Sequence, residues 1–382
     1  MILQGNCIEV MPQLEAESFH TSVTSPPYWG LRDYGLPPTY WPEVTYTPMP
    51  GLPPITVPEW TGCLGLEPTP EMFVAHMVLV FREVWRLLRK DGTLWMNFGD
   101  SYAGSGKGGG GSYEKERPGW QQSKGRRIER GQGRWGGGNN PSVGGLKPKD
   151  LIGIPWRVAF ALQADGWYLR MDNIWSKPNC MPESVGDRPT KAHEYIFLLA
   201  KSERYYYDGE AIKEALASSS IARLSQDLEG QRGSDRANGG AKTNGRMKAV
   251  GGSPGAFGPP QSRRRSGNKD RKYGEDRDRP GSHLGASIPW EGSTRNKRSV
   301  WTVATAQFTE AHFATFPEKL IEPCILAGAP VGGRVLDPFG GSGTTMKVAL
   351  ENNRECTIIE MGSQYVEIAE RRTAVIQPTL NI

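Results

Sequence analysis

The sequence predicts an α/β fold built on a parallel sheet. Three observations carry this. Short β-rich runs alternate with amphipathic helices along much of the chain, several of those runs are apolar enough to be buried on both faces, and a glycine-rich turn joins a strand to a helix near residue 340. Of the 382 residues 48 are Gly and 30 are Pro, about a fifth in all, which is high for an enzyme yet below the level at which disorder becomes the default.

Taken in order, residues 18–24 (SFHTSVT) form a β run that ends at Ser25-Pro26-Pro27-Tyr28. Residues 36–60 hold eight prolines with Tyr40, Trp41, Tyr46 and Trp60, which predicts a long extended loop. In residues 71–90, Phe73, Met77, Val80, Phe81, Val84, Leu87 and Leu88 recur with a 3.6-residue period, the mark of an amphipathic helix. Asp91-Gly92 breaks it, and 93–98 (TLWMNF) is the next strand. Ile154-Pro155 opens a helix that Asp165-Gly166 ends, and 168–175 and 195–200 read as strands. Residues 317–327 form a helix despite Pro323. A strand at 334–336, the glycine turn, a helix over 344–352, a strand at 356–359 and a last helix over 364–374 complete the pattern.

The charge is unevenly placed. The chain carries +5 overall, but residues 104–149 carry +7 and 231–300 carry +10, leaving −12 for the rest. The partition that follows is 1–103 and 150–208 as two parts of one half, 104–149 as a basic Gly-rich insertion, 209–300 as a second insertion, and 301–382 as the other half. The basic segments read either as solvated loops or as phosphate-contacting ones, since clustered Lys and Arg release counterions from a nucleic acid. The N-terminus lacks a basic region followed by an apolar stretch, so no secretory signal is expected. The longest apolar stretch is broken by His76, Arg82, Glu83 and Arg86, so no membrane span is expected. Cys7, Cys63, Cys180, Cys324 and Cys356 are scattered, with no CxxC pair, which predicts neither a disulfide framework nor a metal site, and a cytoplasmic setting.

Asp337-Pro338-Phe339-Gly340-Gly341-Ser342-Gly343-Thr344-Thr345 lies between a strand and a helix. Glycines there allow a sharp turn and close approach of a ligand to the backbone, and the helix start adds free N–H groups. Glu360 ends the following strand, where a carboxylate can accept from ribose hydroxyls. No Gly-Lys-Ser/Thr follows, so this is not a phosphate-binding P-loop. Met346 stands where a dinucleotide fingerprint needs its third glycine. Taken with Glu360, the turn predicts an adenosyl ligand with a charged amino-acid tail, the competing reading being a purely structural turn. Upstream, the two prolines of Ser25-Pro26-Pro27-Tyr28 remove two N–H donors and leave carbonyls free as acceptors. With the Ser25 hydroxyl and the Tyr28 ring they form a rigid acceptor cluster beside an aromatic face, suited to a planar base with an exocyclic amine. Alone, this tetrapeptide reads better as a strand-ending turn with a packed Tyr.

Together, the tetrapeptide and the F-x-G-x-G turn (Phe339, Gly341, Gly343) resemble the amino-methylating, site-specific DNA methyltransferases. These use S-adenosyl-L-methionine to methylate the exocyclic nitrogen of cytosine or adenine. Ser25-Pro26-Pro27-Tyr28 is similar to the N4-cytosine version, and its place before the glycine turn is similar to the permuted, catalytic-first group. The resemblance implies a Rossmann-like, circularly permuted methyltransferase fold with inserted basic loops. It implies Ser25, Pro26, Pro27 and Tyr28 as catalytic. It implies Asn6, Phe313, Thr315, Phe316, Pro317, Asp337, Pro338, Phe339, Gly341, Ser342, Gly343, Thr344 and Glu360 as cofactor-binding, with Asn6 where relatives usually carry Asp. Residues 175–202 resemble the segment closing the target-base pocket. The segment 209–300, with Arg263, Arg264 and Arg265 as its DNA-binding candidates, is the expected recognition insertion, and 104–149, with Trp120 and Trp135, is a second candidate.

The expected partners are double-stranded DNA and a cognate restriction endonuclease, with no membrane and no metal. Cys324 is expected to be buried packing and not a nucleophile, His193 to support a strand end, and His312 to lie near the cofactor. The competing readings are N6-adenine methylation, a non-catalytic DNA-binding protein, and a nicotinamide oxidoreductase, which the missing third glycine disfavours.

Overall fold

The computed structural model describes residues 1–31, 33–103, 145–217, 294–305 and 316–376. The chain divides into two compact units, Met1–Ile212 with Lys297–Ile382, and Lys213–Asn296. In the second unit the described part is one antiparallel pair, β10 (Glu214–Ala215) with β11 (Thr294–Arg295). Among the described residues no helix is long and apolar enough to cross a membrane.

The first unit is organised by an eight-stranded sheet. Its members are β1 (Ile2–Gln4), β2 (Phe19–Thr24), β7 (Leu88–Phe98), β8 (Tyr168–Ser176), β9 (His193–Ala200), β12 (Val300–Thr302), β13 (Arg334–Asp337) and β14 (Glu355–Glu360), in the order β1-β14-β13-β2-β7-β9-β8-β12. The pairs from β1 to β7 are parallel, as is β12 with β8. β9, however, runs antiparallel to both β7 and β8, so the sheet is mixed where the sequence predicted a parallel one. The physical reason is that no helix lies between β8 and β9, and a parallel crossover is usually made by one.

Side chains alternate along each strand and so supply two cores. Leu94, Met96 and Phe98 of β7 join the cluster under α2 (Pro70–Leu87) and α3 (Ile154–Ala164). Trp95 points the other way, into the cluster with α4 (Glu318–Gly328) and α5 (Thr344–Glu351). Helix α2 begins as its sequence suggests: Pro70 sits in the first turn and the Thr69 hydroxyl accepts from the Met72 N–H at 3.2 Å. It ends three residues earlier than the apolar period implied. Leu88 turns extended (φ −72°, ψ 142°) and begins β7, which runs through Asp91-Gly92. The last helix, α6, spans Ser363–Thr373.

The stretch 36–60 is also corrected. It is not a plain loop but two antiparallel ladders, β3 (Thr39–Trp41) with β6 (Trp60–Gly62) and β4 (Val44–Tyr46) with β5 (Ile55–Val57). In β3 and β4 buried and exposed residues alternate, and the prolines fall outside the four strands.

Candidate active site

The two motifs lie 312 residues apart in sequence from Ser25 to Asp337 yet meet in space, because β2 and β13 are parallel neighbours (Thr21 opposite Val335, Ser22 opposite Leu336). Both loops therefore leave the carboxyl ends of two central strands, on the same end of the sheet. The chain crosses to the α4–α5 face after β13 and to the α2 face after β2. This is the switch point at which open α/β sheets form their ligand crevice. A buried hydrogen bond ties the loops together, the Thr24 hydroxyl donating to Asp337 Oδ1 at 2.6 Å.

The glycine turn is built by backbone constraint. Gly341 (φ +50°) and Gly343 (φ +78°) are left-handed, and a Cβ on Gly340 would stand 2.8 Å from that of Ile358. The Gly341 N–H donates to Glu360 Oε2 at 2.8 Å and the Gly362 N–H to Oε1 at 2.7 Å. Burial pushes the Glu360 carboxyl above its ordinary value. Each oxygen keeps a lone pair for a further donor, so the carboxylate fits a ribose diol. Arg372 of α6 clamps the turn from behind, its Nη1 donating to the Ser342 carbonyl (2.8 Å), the Ser342 Oγ (2.9 Å) and the Thr344 Oγ1 (3.0 Å). Nothing in the sequence pattern singled out Arg372.

Asp337 is only 1% exposed, and its carboxylate is fully engaged by Thr24, by the Thr345 hydroxyl on Oδ2 (2.6 Å) and by the Phe339 N–H (3.0 Å). It does not line the cleft and shapes the turn instead. Burial raises it to about 6. Asn6 caps the short helix α1 (Cys7–Val10), accepting from the Ile8 N–H at 3.3 Å, and donates to the Thr39 hydroxyl at 2.7 Å. It lines the cleft, so the first turn of the chain, the β3 ladder and the glycine turn share one wall.

At the other end stand Ser25, Pro26, Pro27 and Tyr28. The Tyr28 ring stacks on Phe98 (5.8 Å between centroids, 30° between planes). Its hydroxyl donates to Glu194 Oε2 at 2.8 Å and lies 3.5 Å from Ser25 Oγ. Burial, reinforced by the Glu194 charge, pushes the Tyr28 phenol well above its ordinary value, so it remains a neutral donor. Asn97 Nδ2 donates to Glu194 Oε2 at 3.1 Å and approaches Ser25 Oγ at 3.4 Å and the Tyr28 hydroxyl. Lys177 pairs with Glu194 Oε1 and stands 4.2 Å over the Trp175 ring.

One cleft of about 390 Å³ joins the two ends. Of the residues expected from the sequence, Asn6, Ser25, Pro26, Pro27, Tyr28, Phe316, Pro338, Phe339, Gly341, Ser342, Thr344 and Glu360 line it. Pro317, Asp337 and Gly343 do not. Phe313, Thr315, His312, Trp120, Trp135 and Arg263–Arg265 lie outside the described residues. Asn97 and Glu194 were missed: neither belongs to a short motif, and only strand register places them beside Ser25. Cys324 is fully buried in α4, where burial pushes its thiol up, which fits packing.

These features fit an adenosyl ligand at one end and a flat, amine-bearing group at the other, and comparison with known proteins agrees. A family model described as DNA methylase, of the N6/N4 type, matches residues 19–371. The Type II methyltransferase M.SmaI of Serratia marcescens is 37% identical over 371 residues, covering 97% of this chain and 89% of the relative. M.Cfr9I of Citrobacter freundii is 37% identical over 371 residues, covering 97% and 86%. The solved PvuII DNA methyltransferase (cytosine-N4-specific) superposes with a TM-score of 0.52 at 16% identity, covering 100% of this chain and 87% of that one, which shows a shared fold. The chain belongs to the N6/N4 family of DNA methyltransferases, a Rossmann-like group whose methyl donor is S-adenosyl-L-methionine.

Proposed function

We propose that the protein methylates the exocyclic N4 of cytosine in double-stranded DNA, by direct transfer to a base turned out of the helix. The observation that carries this reading is Ser25 at the head of the Pro-Pro-Tyr turn, opening on the same cleft as the glycine turn. Ser25 Oγ and the Pro26 carbonyl would accept the two amine hydrogens and draw the nitrogen lone pair out of conjugation with the ring. Tyr28 would stack on the base, which a duplex does not expose without flipping.

When bound, the cofactor supplies an electrophilic methyl group. Glu360 would hold its ribose, and the turn Pro338–Thr344 with Asn6 and Phe316 would enclose the remainder. Phe313, Thr315 and Pro317 belong to the same proposed cofactor segment. The protein's own contribution is then alignment of the amine with the methyl group, a large source of rate in such a transfer.

The segment 209–300, including Arg263, Arg264 and Arg265, is proposed to recognise the target site, and 104–149 to add phosphate contacts. A restriction endonuclease partner is proposed from the Type II relatives, and a cytoplasmic setting with it. The second reading is N6-adenine methylation, favoured by a shorter match to the DNA adenine methyltransferase YhdJ of Escherichia coli, 42% identical over 66 residues. Incubating the protein with labelled S-adenosylmethionine and genomic DNA, then hydrolysing to nucleosides for mass analysis, separates the two. The expected product is N4-methylcytosine; N6-methyladenine would install the second reading in its place.

A further inference from the structure

The end of the cleft that holds Ser25 and Tyr28 is also lined by an ion pair, Lys177 with Glu194. Trp175 and Glu194 are register partners on antiparallel β8 and β9, so their side chains rise on one face of the sheet. Lys177, two residues beyond Trp175, is pinned there by its N–H donating to the Ala192 carbonyl at 2.8 Å. Glu194 Oε2 receives the Tyr28 hydroxyl and Asn97 Nδ2, and Oε1 receives the Lys177 ammonium. The Lys177 and Glu194 side chains are only 16% and 17% exposed, and both line the cleft with Ser25 and Tyr28. An ammonium has three N–H donors; Glu194 takes one, and the Trp175 face steadies the charge.

We propose that Lys177, held in place by Glu194, donates a hydrogen bond to the O2 oxygen of the target base and so selects cytosine over adenine. The inference rests on the N4-cytosine reading and deepens it. With its amine held at Ser25 and Pro26, either base presents a ring-nitrogen acceptor next to that amine. They differ one position further along the same edge, where cytosine carries a carbonyl oxygen and adenine a C–H. Glu194 leaves the ammonium with further N–H donors. Cytosine offers one of them an acceptor, whereas adenine sets a C–H against it and leaves that desolvated N–H without a partner. Glu194 alone would repel both ring acceptors; with Lys177 interposed it orients the donor and fixes the Tyr28 hydroxyl.

The test uses the full-length protein and a duplex carrying its mapped site, with three bases at the target position. These are cytosine, adenine, and a 2-aminopyridine C-nucleoside, which keeps the amine and ring nitrogen but has C–H in place of O2. For the wild type, kcat/KM should fall about 30-fold from cytosine to the aminopyridine, the loss of one charge-assisted hydrogen bond. Lys177→Met should lose the same factor on cytosine and nothing further on the aminopyridine, and its cytosine-to-adenine ratio should drop by that factor. If instead the two losses multiply and the ratio is unchanged, Lys177 does not read O2. Melting temperature and calorimetric binding of S-adenosylmethionine separate a folding defect from this effect. Should Lys177→Met not fold, the wild-type loss on the aminopyridine and its reduction in Lys177→Arg carry the same test. A wild type that places its methyl on adenine in genomic DNA would overturn the N4-cytosine reading itself. That outcome is distinct from one in which cytosine is methylated but Lys177→Met still discriminates.

Discussion

Gly99 follows β7 directly, and a Cβ there would stand 2.6 Å from Tyr28 Cε2 and 3.0 Å from Cδ2. The ring thus lies where only glycine leaves room. Gly99→Ala should shift Tyr28 and lower the methyl-transfer rate about 10- to 100-fold, with calorimetric affinity for S-adenosylmethionine unchanged. An unaltered rate would mean that the position of the ring does not matter. Asp337 gives a pH signature. Burial raises its carboxyl from 3.8 to about 6, so the folded protein binds a proton that the unfolded chain does not hold between those values. The resulting stability is complete below the unfolded value and is lost as pH rises through about 6. Relative to Asp337→Asn, the wild type should therefore gain about 2–3 kcal/mol between pH 7 and pH 4, read from urea unfolding at both pH values. A constant difference would contradict it. At this scale the sequence exposed Ser25, Tyr28 and Glu360, each embedded in a short motif. Asn97, Gly99, Glu194 and Arg372 were hidden because their roles exist only through strand register and helix packing.

The ribbon from Thr39 to Gly62 shows how an element can be misread and still matter. Its prolines masked a two-residue alternation that strand pairing requires, and the aromatic residues that marked it are its anchor. Trp41 stacks on His76 of α2 at 4.4 Å, and Trp60 lies on the same ring at 5.8 Å. His76 Nδ1 in turn lies 2.9 Å from Glu67 Oε1, a wholly buried pair. From Glu67 the connection reaches the tetrapeptide: its carbonyl accepts from Trp29 Nε1 at 2.9 Å, and the Gly30 N–H donates to the Gly65 carbonyl at 2.8 Å. Trp41→Ala should cost about 3–5 kcal/mol in chemical denaturation, and a cost under 1 kcal/mol would show that the ribbon is not anchored there. We propose that the ribbon also flanks the flipped base; deleting 40–58 with full DNA methylation retained would refute that. The helices and most strands were legible because their apolar periods and caps agree. The direction of β9 is not carried by its apolar run, which says nothing about polarity; its signal is the missing helix between β8 and β9.

For the molecule as a whole, the +5 net charge divides between an acidic body and two basic segments. Every residue placed at the cleft belongs to the acidic part, while Arg263, Arg264 and Arg265 lie in the segment proposed for recognition. Replacing those three arginines with Ala should weaken DNA binding and flatten its dependence on salt by about 0.9 in log–log slope for each phosphate no longer neutralised. The affinity for S-adenosylmethionine should stay as it was, and an unchanged salt slope would remove these arginines from the DNA interface. The central claim is that one cleft couples a cofactor turn on β13 to an amine-holding turn on β2. It is tested most directly by Ser25-Pro26→Ala-Ala, measuring methyl transfer to DNA alongside calorimetric binding of S-adenosylmethionine. Transfer should fall about a thousandfold while cofactor affinity stays within a few-fold of the wild type; transfer persisting at the wild-type rate would contradict the claim.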